Sequence, residues 1–414
     1  MKKLVILLFI CLGFAHHLYA DVVEGKCGDA LIYIYDFDTN KLTITGNGPM
    51  YDYSQDNRAP WYGFMHLMRS LVIEHGVTYI GDMAFWGQYG ISGQVQIPMS
   101  VTSIGDSAFA NCNYIASLVL SPNLVTIGDY AFSGCDNIES KLVLSQCLET
   151  IGKSAFLGCK KLSGDLIIPN SVKRIGESAF FHCGFNGGLY LGNSLDSIGE
   201  SAFSGCMNLT GALVIPESVK SIGCNAFEAC YGLNGNVVIP KNITVIEGCV
   251  FRTCKSVTRF TIHEQVTSIG NVAFADCSSL EDIVCYAVTP PEVYEHTFNG
   301  SSLKVVYVPA ESVELYKSHY LWRQYEIRPI EGTGISDTEY DGAVSVVIKD
   351  GKLVIDAGEG NVESVVLVGM NGAVVLSVEQ EDSYKAIDIS ELSSGVYIVK
   401  VKTGGSEYCC KVLR

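Results

Sequence analysis

Two hydrophobic rhythms run along the chain, one with a period of 23 or 24 residues and one with a period of two. The long one is the pattern I-G-x-x-A-F-x-x-C, whose phenylalanine falls at Phe85, Phe109, Phe132, Phe156, Phe180, Phe203, Phe227, Phe251 and Phe274. Each copy opens on a short apolar stretch, such as Leu118-Val119-Leu120, Leu142-Val143-Leu144, Leu166-Ile167-Ile168, Leu189-Tyr190-Leu191, Leu213-Val214-Ile215, Val237-Val238-Ile239 and Phe260-Thr261-Ile262. Self-similarity at this period predicts a solenoid, because no unit can bury its apolar face alone and each must pack on its neighbours. The apolar stretch reads as a strand. Pro98, Pro169, Pro216 and Pro240 end it in several copies, since proline brings no N–H to the next ladder bond. Stacked in parallel about 4.8 Å apart, these strands make a sheet along one side of the coil.

The other side begins at the I-G step. Glycine there (Gly81, Gly105, Gly128, Gly152, Gly176, Gly199, Gly223 and Gly270) permits a tight turn or a positive φ. The acid or small polar residue that follows, as in Asp106-Ser107 or Glu177-Ser178, suits the first turn of a very short helix, where orphan N–H groups favour oxygen and negative charge. Capping accounts for these acids without a metal or a ligand. Alanine and phenylalanine then point inwards, the small side chain leaving room for the large one.

An open solenoid end exposes strand edges and core, so both ends need covers. Residues 21–70 supply the first, with the alternating stretches Leu31 to Tyr35 and Lys41 to Thr45 as a hairpin, followed by Tyr51, Tyr53, Trp61, Tyr62 and Phe64. At the far end Phe298 keeps the spacing, Val305 to Pro309 reads as a last strand, and Ala310 to Tyr325 as a closing helix. The solenoid with its second cap therefore covers 71–330, and polar, glycine-bearing 331–342 is a linker. The short rhythm occupies 343–414, where seven period-two stretches alternate with turns, Met370-Asn371-Gly372 being a strong hairpin signal. The expected fold is thus an α/β solenoid of short parallel strands and short helical turns, capped at both ends, followed by a small all-β Ig-like sandwich.

Composition adds export. Lys2 and Lys3, the apolar run Leu4 to Phe14 and Leu18-Tyr19-Ala20 read as a secretory signal peptide over 1–20, which takes Cys11 with it. No other apolar run approaches the roughly 20 residues that span a bilayer. The formal charge of −16 becomes −18 once both lysines leave, which repels nucleic acid and anionic lipid and sets both aside as partners.

The strand, I-P-x-S-V, I-G-x-x-A-F-x-x-C and a following aliphatic residue (Ile115, Ile138, Leu162, Leu209, Leu233, Leu280) resemble the BspA-like leucine-rich repeat family of bacterial surface proteins. Gly25 to Asp29, Leu42 to Gly46 and Ala59-Pro60-Trp61 resemble what commonly precedes such repeats. Two copies depart from the pattern: Ile246-Glu247-Gly248-Cys249-Val250-Phe251 breaks the Gly and Ala positions, and Gln88 stands where a cysteine belongs. The resemblance implies adhesion, to host matrix or plasma proteins or to other bacteria. Ile387 to Ser390, Gly395 to Val401 and Lys411-Val412-Leu413 are similar to the sorting domain of type IX secretion cargo in Bacteroidetes. That similarity implies engagement of a secretion machinery, passage across the outer membrane, surface attachment or release, and loss of the tail.

Chemistry finds little footing. Cys112, Cys135, Cys159, Cys183, Cys206, Cys230, Cys254 and Cys277 share one repeat position. Stacked residues hold parallel Cβ vectors about 4.8 Å apart, whereas a disulfide wants converging Cβ atoms about 3.8 Å apart, so these read as buried free thiols acting as small hydrophobes. The other cysteines lack zinc spacing. His182 adjoins Cys183, but neighbouring side chains point in different directions; His75 and His263, just past strands, read as solvated. No G-x-S-x-G, P-loop or H-E-x-x-H motif occurs, so no catalytic residue, cofactor or metal ligand is assigned.

What remains is a surface. If the flanking residues of each strand point inwards, the middle ones point out as the row Val72, Gln96, Val119, Val143, Ile167, Tyr190, Val214, Val238 and Thr261. This row is apolar between polar flanks (Ser117, Lys141, Asp165, Asn236, Arg259). Either β-branched residues simply suit a sheet face, or the strip binds protein. The expected function is therefore an exported, non-enzymatic, adhesin-like binding protein whose site is Val119, Val143, Ile167, Tyr190, Val214, Val238 and Thr261. Its ligand would be a matrix, plasma or bacterial surface protein. A structural component of the envelope and a glycan-binding module are the alternatives, although only Tyr190 in the row offers a sugar platform.

Overall fold

The computed structural model describes residues 22–330 without interruption and, in the tail, 345–349, 352–356, 361–369, 374–382, 384–389, 392, 396–403 and 406–413. The expected leader, the linker at 331–342 and the Met370-Asn371-Gly372 turn lie outside the described residues.

Each repeat forms one coil with three hydrogen-bonded sides. The first is the expected strand in most copies: Gln94–Gln96 pairs in parallel with Ser117–Val119, Leu166–Ile167 with Leu189–Tyr190, and a six-stranded sheet carries this side from Thr210–Ala212 to Glu326–Pro329. Leu142 to Leu144 and Leu213 to Ile215, expected as strands, are not, because the ladder there falls on the preceding residues, at the Lys141–Ser163 bridge and at Thr210–Ala212. The second side is a dipeptide ending in the repeat isoleucine. Ser103–Ile104, Thr126–Ile127, Thr150–Ile151, Arg174–Ile175, Ser197–Ile198 and Ser221–Ile222 pair in register, and the sheet stops there. It restarts at Val245–Ile246, the copy that lacks the repeat glycine, so the irregular copy interrupts the ladder.

The third side corrects the expected helical turns. Over 105–112 the N–H groups alternate: those of Ala108, Ala110 and Cys112 close turns on Gly105, Ser107 and Phe109, while those of Ser107, Phe109 and Asn111 donate to Asp129, Ala131 and Ser133 of the next coil at 2.7–2.8 Å. A helix would use its N–H groups within the segment and leave the coils unlinked here. Alternation requires left-handed residues on either side of the Ala-Phe pair, found at Ser107 (φ 54°) and Asn111 (60°) and again at Ser154 (52°) and Gly158 (76°). The repeat glycine serves a different need. A Cβ on Gly152 would lie 2.5 Å from the carbonyl carbon of Gly128, so glycine is present there for close approach of stacked backbones.

The core is a continuous column. Ten phenylalanines from Phe85 to Phe298 stack with centroids 4.9–5.9 Å apart and planes within 19°. Tryptophan closes it at both ends. Trp61 stacks on Phe85 and donates from Nε1 to the Ala84 carbonyl at 2.8 Å; Trp322 tilts against Phe298 and donates to Pro291 at 3.0 Å. An aromatic with one polar edge suits this place, where half of the ring faces core and half meets cap backbone.

The N-terminal cap is the expected hairpin, Leu31–Asp36 with Lys41–Gly46, plus an outer strand Val22–Lys26; Lys41–Gly46 pairs in parallel with Ser70–Ile73 and so passes the sheet into the first coil. The C-terminal cap is the strand Val305–Val308, a short α-helix Val313–Ser318 between 3-10 turns, and a final strand Glu326–Pro329 back on Val305–Val308. All seven tail stretches are strands, in antiparallel sheets of three and four, around a separate core that includes Leu353, Ile355, Val365, Leu367, Val399 and Val401.

Candidate functional site

The row faces outwards as alternation requires, including at Val143 and Val214, which lie outside the strands. Register sets Gln96 beside Val119, Ile167 beside Tyr190 and Val238 beside Thr261, while their neighbours Leu118, Leu166, Ile168, Val237 and Ile239 are buried. Val119, Val143, Val214 and Val238 are exposed, Val143 to 68%. Ile167, Tyr190 and Thr261 are half-buried. The same register continues to Val284 and Tyr307, which decay of the repeat motif hides in the sequence.

The second side of the same coils provides the comparison. Its outward residues are Ser103, Thr126, Thr150, Arg174, Ser197, Ser221, Ser268 and Glu292, with two exceptions: Val245 at the interrupted copy, and Tyr79 in the first coil, whose hydroxyl donates to Asp52 and Asp82. Exposed ion pairs Lys173–Glu149 (3.6 Å) and Lys220–Asp196 (2.8 Å) link coils beside it. Strand propensity alone would favour β-branched apolar residues on both sides, and only the first side has a run of them. Polar partners flank the apolar row. Arg259 pairs with Asp282 of the next coil, Asn236 accepts from the Thr261 hydroxyl at 3.1 Å, and Asp165 Oδ1 accepts from the Gly188 N–H at 2.7 Å.

Interior groups of a reactive type are committed to stacking. All eight repeat cysteines are free and buried. Each thiol lies 3.0–3.3 Å from a phenylalanine carbonyl of the preceding coil, from Cys112 on Phe85 to Cys277 on Phe251. Burial pushes the Cys112 and Cys206 thiols up to about 12, which leaves them neutral and poor nucleophiles at neutral pH. Cys183 is turned to the Phe156 carbonyl at 3.0 Å while His182 is exposed against Gly205, so the two do not form a dyad. His75 is exposed, but His263 corrects its expected solvation: it is buried, with Nε2 2.9 Å from the Ile243 carbonyl and Nδ1 accepting from the Gln265 N–H at 3.2 Å.

The acids after the repeat glycine, and Asp52 of the N-terminal cap in the same place, cap the next coil instead of a helix. Oδ1 of Asp52, Asp82, Asp106 and Asp129 accepts the N–H of Asp82, Asp106, Asp129 and Lys153 at 2.7–3.0 Å. Desolvation, and then the neighbouring carboxylates, raise the Asp106 pKa against this hydrogen bond. Among the described residues no group of three or more His, Cys, Asp or Glu could hold a metal ion, and no helix is long and apolar enough to cross a membrane.

Comparison with known proteins agrees with these features. The family described as BspA type leucine rich repeat region matches residues 62–186 and 196–324, in six copies, and the secretion system C-terminal sorting domain matches 349–413. No curated protein matches the chain. Among solved structures it is similar to a leucine-rich repeat protein from Eubacterium ventriosum (23% identity, 70% of this chain and 80% of that one, TM-score 0.45). A leucine-rich repeat protein from Bacteroides ovatus (19%, 73% and 99%, 0.33) and the pneumococcal vaccine antigen PcpA (16%, 70% and 82%, 0.38) are also similar. The sorting domain marks the protein for export to the cell surface, and the repeat family is not one of enzymes. Matched over more than half of its length by the repeat pattern that its stacked coils display, the chain belongs to the BspA type leucine-rich repeat family.

Proposed function

We propose that the protein is an adhesin-like binding protein at the cell surface, which recognises another protein through Val119, Val143, Ile167, Tyr190, Val214, Val238 and Thr261. One observation carries this reading: two strand sides of the same coils share geometry and solvent, yet only one presents an apolar outward row. An exposed apolar strip between polar flanks loses free energy in water and regains about 25 cal/mol per Å² when a partner covers it. Matrix, plasma and bacterial surface proteins are the partner classes that fit an exported chain of this charge. The tail, read as an Ig-like sandwich, is the segment that the type IX machinery recognises.

The test is binding of the full chain to immobilised matrix, plasma and bacterial surface proteins. Val143→Glu and Val238→Glu are expected to weaken a saturable interaction more than tenfold with an unchanged melting temperature. Equal binding by wild type and both variants would move the site off this row. Removal of 343–414 is expected to keep the protein inside the cell; normal surface delivery without it would contradict the role given to the tail.

A further inference from the structure

The outward row is not equally open along its length. Ile167 and Tyr190 are half-buried between Val143 on one side and Val214 and Val238 on the other, all three exposed. The tail reaches this stretch at Tyr190 and at the neighbouring Asp165. In the tail strand Val396–Thr403, Tyr397, Val399 and Val401 belong to the tail's own core, so strand alternation turns Ile398 and Lys400 to the opposite face. That outer face should be wet. Ile398 is nevertheless only 2% exposed, although it is not part of the tail core. Its register partner Val368, and Val366 beside Lys400, are half-buried on the same face.

Lys400 shows where this face rests. Its Nζ lies 3.5 Å from Asp165 Oδ2 and 6.0 Å from the centre of the Tyr190 ring, while Asp165 Oδ1 stays on the Gly188 N–H of the solenoid. Lys402, two residues along the same face, pairs within the tail with Glu363 at 3.1 Å, so Lys400 is the lysine that reaches across. The last tail strand, Ser406–Leu413, also runs close to the solenoid strand Thr210–Ala212. A cation of the tail thus meets a carboxylate and an aromatic ring at the margin of the apolar row.

We infer that the outer face of the tail's four-stranded sheet is an intramolecular occupant of the row at Ile167 and Tyr190, held in register by the Lys400–Asp165 pair. The contact stands on its own geometry; that it restricts access to a binding site rests on the function proposed above. In the full chain only the flanking parts of the row, around Val119 and Val143 and around Val214 and Val238, are open to a partner.

A zero-length carbodiimide cross-link on the dilute full chain tests the contact without any ligand. The Lys400–Asp165 amide is expected at a yield comparable to that of the Lys153–Glu177 pair, 2.9 Å apart within the solenoid, which is the internal control. Asp165→Asn should abolish the first amide and leave the second, and the swap Asp165→Lys with Lys400→Asp should restore a link between the two positions. Mixing isotopically heavy and light chains assigns it to one molecule. A control amide without the Lys400–Asp165 amide would overturn the inference. So would a link found only between heavy and light chains, which would make the occupant a second copy. Neither result would touch the proposed function, which is read from binding by the row variants.

Discussion

The two strand sides of each coil differ where they face water and agree where they face inwards. Leu166 and Ile168 on the first side and Ile175 on the second are buried against the same phenylalanine column, and both sides pair in parallel. Outwards, Val143 stands on one side and Thr150 on the other, seven residues apart in one coil. Solenoid stability needs only the inward agreement, since stacking supplies it coil by coil. The outward difference has no structural purpose that the fold requires, and it is therefore where function is to be sought.

The shared interior should give the largest effects. Phe156→Ala removes a fully buried ring from the middle of the column and is expected to lower stability by about 3–5 kcal/mol, read by denaturant unfolding. A loss under about 1 kcal/mol would mean that the column is not what joins the two sides. The thiols give a pH signature. Cys112, Cys206 and Cys277 ordinarily titrate near 9 and are pushed up to about 12 by burial, so above pH 9 the unfolded chain loses protons that the folded one keeps. Stability is complete below pH 9 and should fall through pH 9–12, at about 4 kcal/mol per pH unit for these three if all remain protonated in the fold. Unfolding midpoints that stay level from pH 8 to 10.5 would contradict this.

Gly152→Ala tests the tight second side, where a Cβ would meet the Gly128 carbonyl carbon at 2.5 Å; a loss of about 1–3 kcal/mol is expected, and no loss would show that the coils separate freely. The smallest stability effects belong to the outward positions. Val143→Glu and Thr150→Glu should each change stability by less than about 0.5 kcal/mol, so that any loss of binding can be read as a surface effect.

The inward pattern was legible because the period names every buried position: Phe109, Ala108 and Cys112 are where the repeat places them, and Trp61 and Trp322 lie in the segments assigned as caps. The second strand side was not, since a pair such as Thr126–Ile127 is too short to show alternation. Glycine misled for a physical reason. Positive φ and close backbone approach both call for it, and Gly152 serves the second while Ser154 takes the first. The serine after the acid looks like a helix cap, yet its left-handed backbone is what directs alternate N–H groups to the next coil. The outward row followed from alternation alone; the contact of Lys400 with Asp165 beside it did not, because the segments in contact are far apart along the chain.

The central claim is that the apolar side, and not the polar side, is the binding face. Its most direct measurement is the affinity of wild type, Val143→Glu and Thr150→Glu for one saturable protein ligand under identical conditions. A loss of more than tenfold confined to Val143→Glu is expected. Equal loss in both variants, or in neither, would contradict the account.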